Sequence, residues 1–292
     1  MKTETFASIM ALLLVTICSE NVQSSVGPEK TFPDSQLNPS SKKIKILIDT
    51  DANNELDDQH ALAYAFLNEE VFDIVGVTVN NTINGEGIQG HYDEAMRIIK
   101  LFNLRDEMPL KKGAVGLYSE IVSQIDEPDF DGHEAVNFII SEAKKAGNEK
   151  LVLLPVGKLT NIALALEKAP EIIDKVKVVW LGANYPEPGE YNLVNDTTSV
   201  NPVIESGVEF EMVTVRYGKP SGTDAVRVTP KEIRKQVAGK GLVTDKPITG
   251  RHGGEFSNFG DYSVNLFEHI DLHGNPPSRA LFDMAAVAIV KN

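Results

Sequence analysis

Residues 49–58 read DTDANNELDD, placing Asp49, Asp51, Asp57 and Asp58 with Glu55 where the apolar run KIKILI gives way to a helical pattern. Two unit negative charges about 6 Å apart repel by roughly 3 kcal/mol at an effective dielectric of about 20. A helix N-terminus relieves Asp57 and Asp58 by only about 0.3–1 kcal/mol each. Protons or a hard divalent cation must supply the difference. Ca²⁺, which takes oxygen ligands, suits such a cluster better than zinc, which prefers His and Cys. A helix cap alone requires one acid, not four.

The elements that must position these acids alternate along the chain. KIKILID, IVGVTVN, KLVLLPVG, KVKVVWLGA and FEMVTVR are short buried strands, and HALAYAFLN, YDEAMRIIKLF, EAVNFIISEAKK, LTNIALALEKAP and VNPVIESG carry helical spacing. Strand–helix alternation predicts an α/β fold: a mostly parallel central sheet flanked by helices, with a Rossmann-like core in a single domain over residues 44–292. Ligands of such folds sit at the carboxyl ends of the strands, where the aspartates lie. Residues 217–280, rich in Gly, Asn and His, read as surface or lid loops. No closing helix is evident after Asp283, so an incomplete C-terminus is expected.

Composition narrows the partners. With 42 acidic against 28 basic side chains and a net charge of −14, the chain lacks the positive footprint of a nucleic-acid binder. Lys2 and the apolar run from Phe6 to Cys18 read as a signal peptide over residues 1–24, too short for a comfortable membrane span. A flexible Pro/Ser-rich linker follows over 25–43. Secretion or export to a periplasm is expected. Lipid anchoring at Cys18 is the weaker alternative, because Ile17 precedes that cysteine where a small residue is wanted. The single cysteine lies in the signal, which leaves no disulfide framework and no thiol nucleophile.

Asp49-Thr50-Asp51 followed by Asp57-Asp58-x-x-Ala61-Leu62 resembles the amino-terminal signature of the inosine-uridine preferring nucleoside hydrolases. LLPVGKLTNIALAL, VVWLGAN with GEYNLVND, and LFDMAAVAIV resemble later segments of that family in the same order, so the resemblance spans Lys45 to Asn292. It implies a calcium-dependent hydrolase that splits a ribonucleoside into ribose and free base. Asp51, Asp58, Asp283 and the backbone carbonyl of Val156 would hold Ca²⁺, and Asp51 would also take a proton from the metal-bound water. Asn81, or its neighbour Asn80, would sit beside that water. Asp57, Asn184, Glu190 and Asn192 would contact the sugar, and Asp49 would orient the cluster from behind. A homo-oligomer is compatible with the resemblance.

The chain departs from the family pattern at two points that bear on chemistry. Five residues separate Asp51 from Asp57, a turn longer than the family's usual Pro-Gly turn, and its Glu55 is a further candidate metal ligand. Phe282 stands where many members have a histidine that protonates the leaving base, and GLYSEIVSQIDEPDF replaces a His-Gly-rich loop. The proton donor is therefore unassigned. Tyr191, Phe282 or Trp180 would stack on a base or pack in the core, and His252, His269 and His273 would enter the site or lie on the surface.

Three alternatives stay open. One is a hydrolase of another ribosyl or glycosyl substrate on the same scaffold. Another is a non-catalytic sugar- or nucleoside-binding protein that kept the cation site. The third, a Mg²⁺ phosphatase using Asp49-x-Asp51, lacks the expected Thr or Ser after the second aspartate, where Ala52 and Asn53 stand.

Overall fold

The computed structural model describes residues 42–292. The segments read as signal peptide and most of the linker, with Cys18, lie outside the described residues. Six strands form one parallel sheet: β1 (Ile44–Thr50), β2 (Phe72–Val79), β3 (Leu110–Lys112), β4 (Leu151–Pro155), β5 (Val176–Ala183) and β6 (Glu209–Thr214). Their spatial order is β3-β2-β1-β4-β5-β6, with every pair parallel. The order reverses between β1 and β4. A ligand-binding crevice opens at such a reversal, because the connections from the two strands leave in opposite directions.

The helices that bear on the site and its core are α1 (Asp57–Leu67), α2 (Gly87–Leu101), α3 (His133–Lys145), α4 (Thr160–Lys168), α5 (Tyr191–Asn195), α6 (Pro230–Val237), α7 (Phe259–Glu268) and α8 (Phe282–Lys291), with other short helices between, among them Val200–Glu205. Side chains alternate across the sheet as the pleat requires. Ile46 and Ile48 of β1 join a core with α1, α2, α7 and α8, and Leu47 joins one with α3 and α4 on the opposite face. Helix α1 is buried along all 11 of its residues, wedged between the sheet, α2 and α8. Its acidic first turn is therefore inside the protein. That placement turns an ordinary helix start into an electrostatic problem.

The alternating pattern expected from the sequence is the one observed. Two expectations are corrected. Residues 217–280 are not only loops, since they contain α6 and α7. Helix α6 starts with a reciprocal capping box between Thr229 and Glu232, and Asn258 caps α7 by accepting from the Asp261 amide at 2.8 Å. Thr229-Pro-Lys-Glu232 is a helix-start signature that loop-like composition around it obscured. The segment after Leu281 also forms a helix, α8, whose acid Asp283 sits in its first turn.

Candidate active site

Asp49, inside β1, is completely buried and accepts three side-chain hydrogen bonds: from Thr78 at 2.6 Å, Asn80 at 2.9 Å and Asn161 at 2.8 Å. These donors come from β2, the residue after it, and α4. One carboxylate thus gathers three elements behind the strand ends. Burial raises its pKa to about 6 against those hydrogen bonds. Gly157 makes the arrangement sterically feasible, because a Cβ there would lie 2.5 Å from the Asn80 amide nitrogen. The expected orienting role for Asp49 matches this geometry.

Asp51 emerges at the end of β1, where Thr82 donates to it at 2.7 Å. Thr50 donates to Asp58 in the first turn of α1. Asp57, Asp58 and Asp283 each bring one carboxylate oxygen into a group within 4.8 Å of one another, all three buried. Burial raises Asp51 to about 7 and Asp57 to about 6. Asp58 and Asp283 are driven well above the usual carboxylate range by burial and then by the neighbouring aspartates. Such a set, all oxygen and short of positive charge, fits a hard divalent cation and not a soft one. The three closest carboxylates include Asp57, which the resemblance assigns to the sugar.

The acids floor one part of a cavity of about 480 Å³, a size suited to a small-molecule site. Asp51, Asp57, Asp58, Val156, Glu190, Asn192 and Asp283 all line it, as the sequence led one to expect. Glu190 caps α5 by accepting from the Leu193 amide at 3.0 Å, and burial raises its pKa to about 7. The Asn192 amide donates to the carbonyls of Val156 at 2.8 Å and Leu181 at 3.0 Å. The Val156 carbonyl is thus already held in place from one side, with a second lone pair to offer.

Two expected residues do not reach the cavity wall. Asn81 sits on the loop after β2, its amide N–H donating to the Ala114 carbonyl at 3.2 Å. Its neighbour Asn80 is committed to Asp49. Asn184 instead accepts from the Tyr217 amide at 3.1 Å and so positions a residue that does line the cavity. Trp180 is core, fully buried with its indole N–H on the Gly157 carbonyl at 3.0 Å. Tyr191 and Phe282 do face the cavity, Phe282 edge-on to Tyr217 with centroids 5.9 Å apart. Among the three histidines, His273 lines the cavity, whereas His252 and His269 stack on each other. Glu55 is not part of the acid group, because Arg279 neutralises it.

Sequence reasoning missed Asp224, Arg227 and Arg279, which also line the cavity. Their neighbours offer no motif. The signal is tertiary, an antiparallel pairing of Arg227–Val228 with Arg279–Ala280 that brings two distant segments together.

The sequence profile described as inosine-uridine preferring nucleoside hydrolase matches residues 46–292. The chain belongs to that family. Among nucleoside hydrolase relatives, it is 25% identical over 255 residues to the pyrimidine-specific ribonucleoside hydrolase RihB of Escherichia coli, covering 80% of this chain and 75% of that protein. It is also 28% identical over 213 residues to an uncharacterized protein of Schizosaccharomyces pombe, covering 65% of this chain and 66% of the other. These matches leave a quarter to a third of each relative unmatched. A solved purine-preferring ribonucleoside hydrolase from Gardnerella vaginalis shares the fold with a TM-score of 0.59 at 22% identity, over 85% of this chain and 80% of its own. The family resemblance read from the aspartate signature and the nucleoside hydrolase fold are thus both observed.

Proposed function

We propose that this nucleoside hydrolase-family protein hydrolyses the N-glycosidic bond of ribonucleosides, releasing ribose and free base, with Ca²⁺ as cofactor. The observation that carries the reading is the group of buried aspartates, raised in pKa, at one end of a cavity that also presents Glu190 and Asn192. Asp58, Asp283 and Asp51 or Asp57, with the Val156 carbonyl, would hold the ion. When bound, Ca²⁺ would neutralise the acids, fix the ribose hydroxyls and make a nearby water easier to deprotonate.

Each protein group then has a task. Asp51, free of the cap and the core network, takes the proton of the attacking water. Asp51 lines the cavity and accepts only one side-chain hydrogen bond, from Thr82, as suits a positioned general base. Asp57 and Glu190 accept hydrogen bonds from sugar hydroxyls, and Asn192 keeps the Val156 end of β4 fixed. Cleavage builds positive charge on the sugar ring, and the surrounding carboxylates stabilise it. Export is supported only by the sequence of residues 1–24.

The test is a ribonucleoside panel with reducing-sugar detection, run with Ca²⁺ and with chelator. Ribose release that disappears with chelator and returns with Ca²⁺ is expected. Nucleoside binding without ribose release under either condition would leave a binding protein in place of an enzyme.

A further inference from the structure

The cavity is lined by cations as well as acids. Arg279 and Arg227 form part of its wall, paired with Glu55 and Asp224. Arg227 has a partner at each of its nitrogens: Nε donates to Ser278 Oγ at 3.0 Å, Nη1 to Asp224 at 2.6 Å and Nη2 to the Ser278 carbonyl at 3.1 Å. Arg279 does not. It is only 7% exposed, with Nη2 on Glu55 and Nη1 a long 3.4 Å from the Asp271 carbonyl, and its buried Nε–H has no partner. Buried guanidinium donors are normally satisfied, so an orphan one on a cavity wall points to an acceptor that arrives with the ligand. Glu55, in the turn between Asp51 and α1, is itself fixed through its backbone carbonyl by Arg251 at 2.7 Å. The turn therefore fixes the backbone from which the Glu55 carboxylate reaches Arg279.

We propose that Arg279, aimed by Glu55, is the leaving-group contact of this site, and that the leaving group is a heterocyclic base with an acceptor atom that departs as an anion. This rests on the hydrolytic reading above and extends it to the base end of the cavity. In the step, the C1′–N bond breaks with its electron pair going to the base nitrogen. Water oxygen forms the new C1′–O bond and its proton passes to Asp51. The base leaves negatively charged against Arg279 and takes up a proton from solvent. Negative charge grows on the departing base, and a guanidinium donor against it stabilises the transition state more than the neutral substrate. An arginine remains protonated and acts by hydrogen bonding and charge, which is why no acid of matched pKa is needed there. His273 is exposed at the rim, with its ring uncommitted, and is the rival donor.

Leaving-group dependence separates these roles. Parent, Arg279→Met, Glu55→Gln and His273→Ala proteins are assayed on inosine and on p-nitrophenyl β-D-ribofuranoside, whose phenolate departs unaided. For Arg279→Met, kcat/KM on inosine is expected to fall about 10²–10³-fold, as for loss of one charge-stabilising donor, and on the nitrophenyl riboside by less than ~10-fold. Glu55→Gln should show the same selectivity in weaker form, and it carries the test should Arg279→Met fail to fold. His273→Ala should leave the ratio of the two substrates unchanged. An equal fall on both substrates for Arg279→Met and Glu55→Gln, or a selective fall for His273→Ala, overturns the proposal while leaving the hydrolytic reading intact. A folded, Ca²⁺-loaded parent that releases ribose from neither substrate overturns both.

Discussion

The side-chain amide of Asn192 bridges the backbone carbonyls of Val156 and Leu181, at 2.8 and 3.0 Å. One residue in the second position of α5 thereby locks the carboxyl ends of β4 and β5, and through them the wall that faces the aspartates. Replacing it by Ala leaves two carbonyls without that donor, a cost of about 1–3 kcal/mol each where water cannot substitute. Asn192→Ala is therefore expected to lower thermal stability and to raise KM for ribonucleosides about tenfold or more, with a smaller change in kcat. Steady-state kinetics beside a thermal melt checks this, and unaltered KM in a destabilised protein would confine Asn192 to a structural role.

Asp51 is the acid proposed as base: it lines the cavity and accepts one side-chain hydrogen bond, from Thr82, whereas Asp49 behind it is consumed by three. Asp51→Asn keeps the shape and the contact with Thr82 but removes the proton acceptor. A loss of about 10²–10⁴ in kcat is expected, the usual worth of a positioned general base. Parent-level turnover by this variant would assign the proton transfer elsewhere.

The cation group links the first turn of α1 to that of α8. Asp283→Ala and Asp58→Ala should each weaken Ca²⁺ binding, read by calorimetry, and reduce the rise in melting temperature that Ca²⁺ produces. That rise follows RT ln(1 + [Ca²⁺]/Kd), so a hundredfold weaker Kd removes about 2.7 kcal/mol at saturating ion. Undiminished affinity in both variants would place the ion away from this group.

Much of this was legible in the sequence for a physical reason. Strand and helix periodicity is local, and an acid cluster at a strand end is a charge problem that can be recognised without coordinates. Asp51, Asp57, Asp58, Glu190, Asn192 and Asp283 were found because their neighbours are patterned. Arg279 and Arg227 were not, because their place in the cavity depends on a two-residue strand pairing across some fifty positions. Asn184 and Asn81 show the converse error. Their types suit a sugar site, yet the backbone turns Asn184 toward the Tyr217 amide and leaves Asn81 off the cavity wall. Helix α6 was hidden in a stretch whose glycines and histidines suggested loops, although its capping box is explicit.

The buried acids also set how stability responds to pH. Asp51 and Glu190 are raised to about 7, Asp49 and Asp57 to about 6, and Asp58 and Asp283 well above the usual carboxylate range, chiefly by burial. Without a cation, the unfolded chain surrenders these protons as pH climbs past about 4, while the folded chain keeps them until its own raised values are reached. The folded state then binds more protons than the unfolded one, so stability falls as pH rises. Buried His60 and His91, lowered by burial to about 4, act in the opposite sense, but most of their gain is made by pH 6.5, where the unfolded imidazoles are half titrated. Between about pH 6.5 and 8 the acids outweigh what remains of it. Chelated protein should therefore melt several degrees lower at pH 8 than at pH 6.5, at roughly 2–4 °C per kcal/mol for a chain of this size. With saturating Ca²⁺, which binds the ionised acids, the difference should vanish or reverse. A chelated protein whose melting temperature holds level or climbs across that interval would mean that the aspartates carry no excess charge for an ion to relieve.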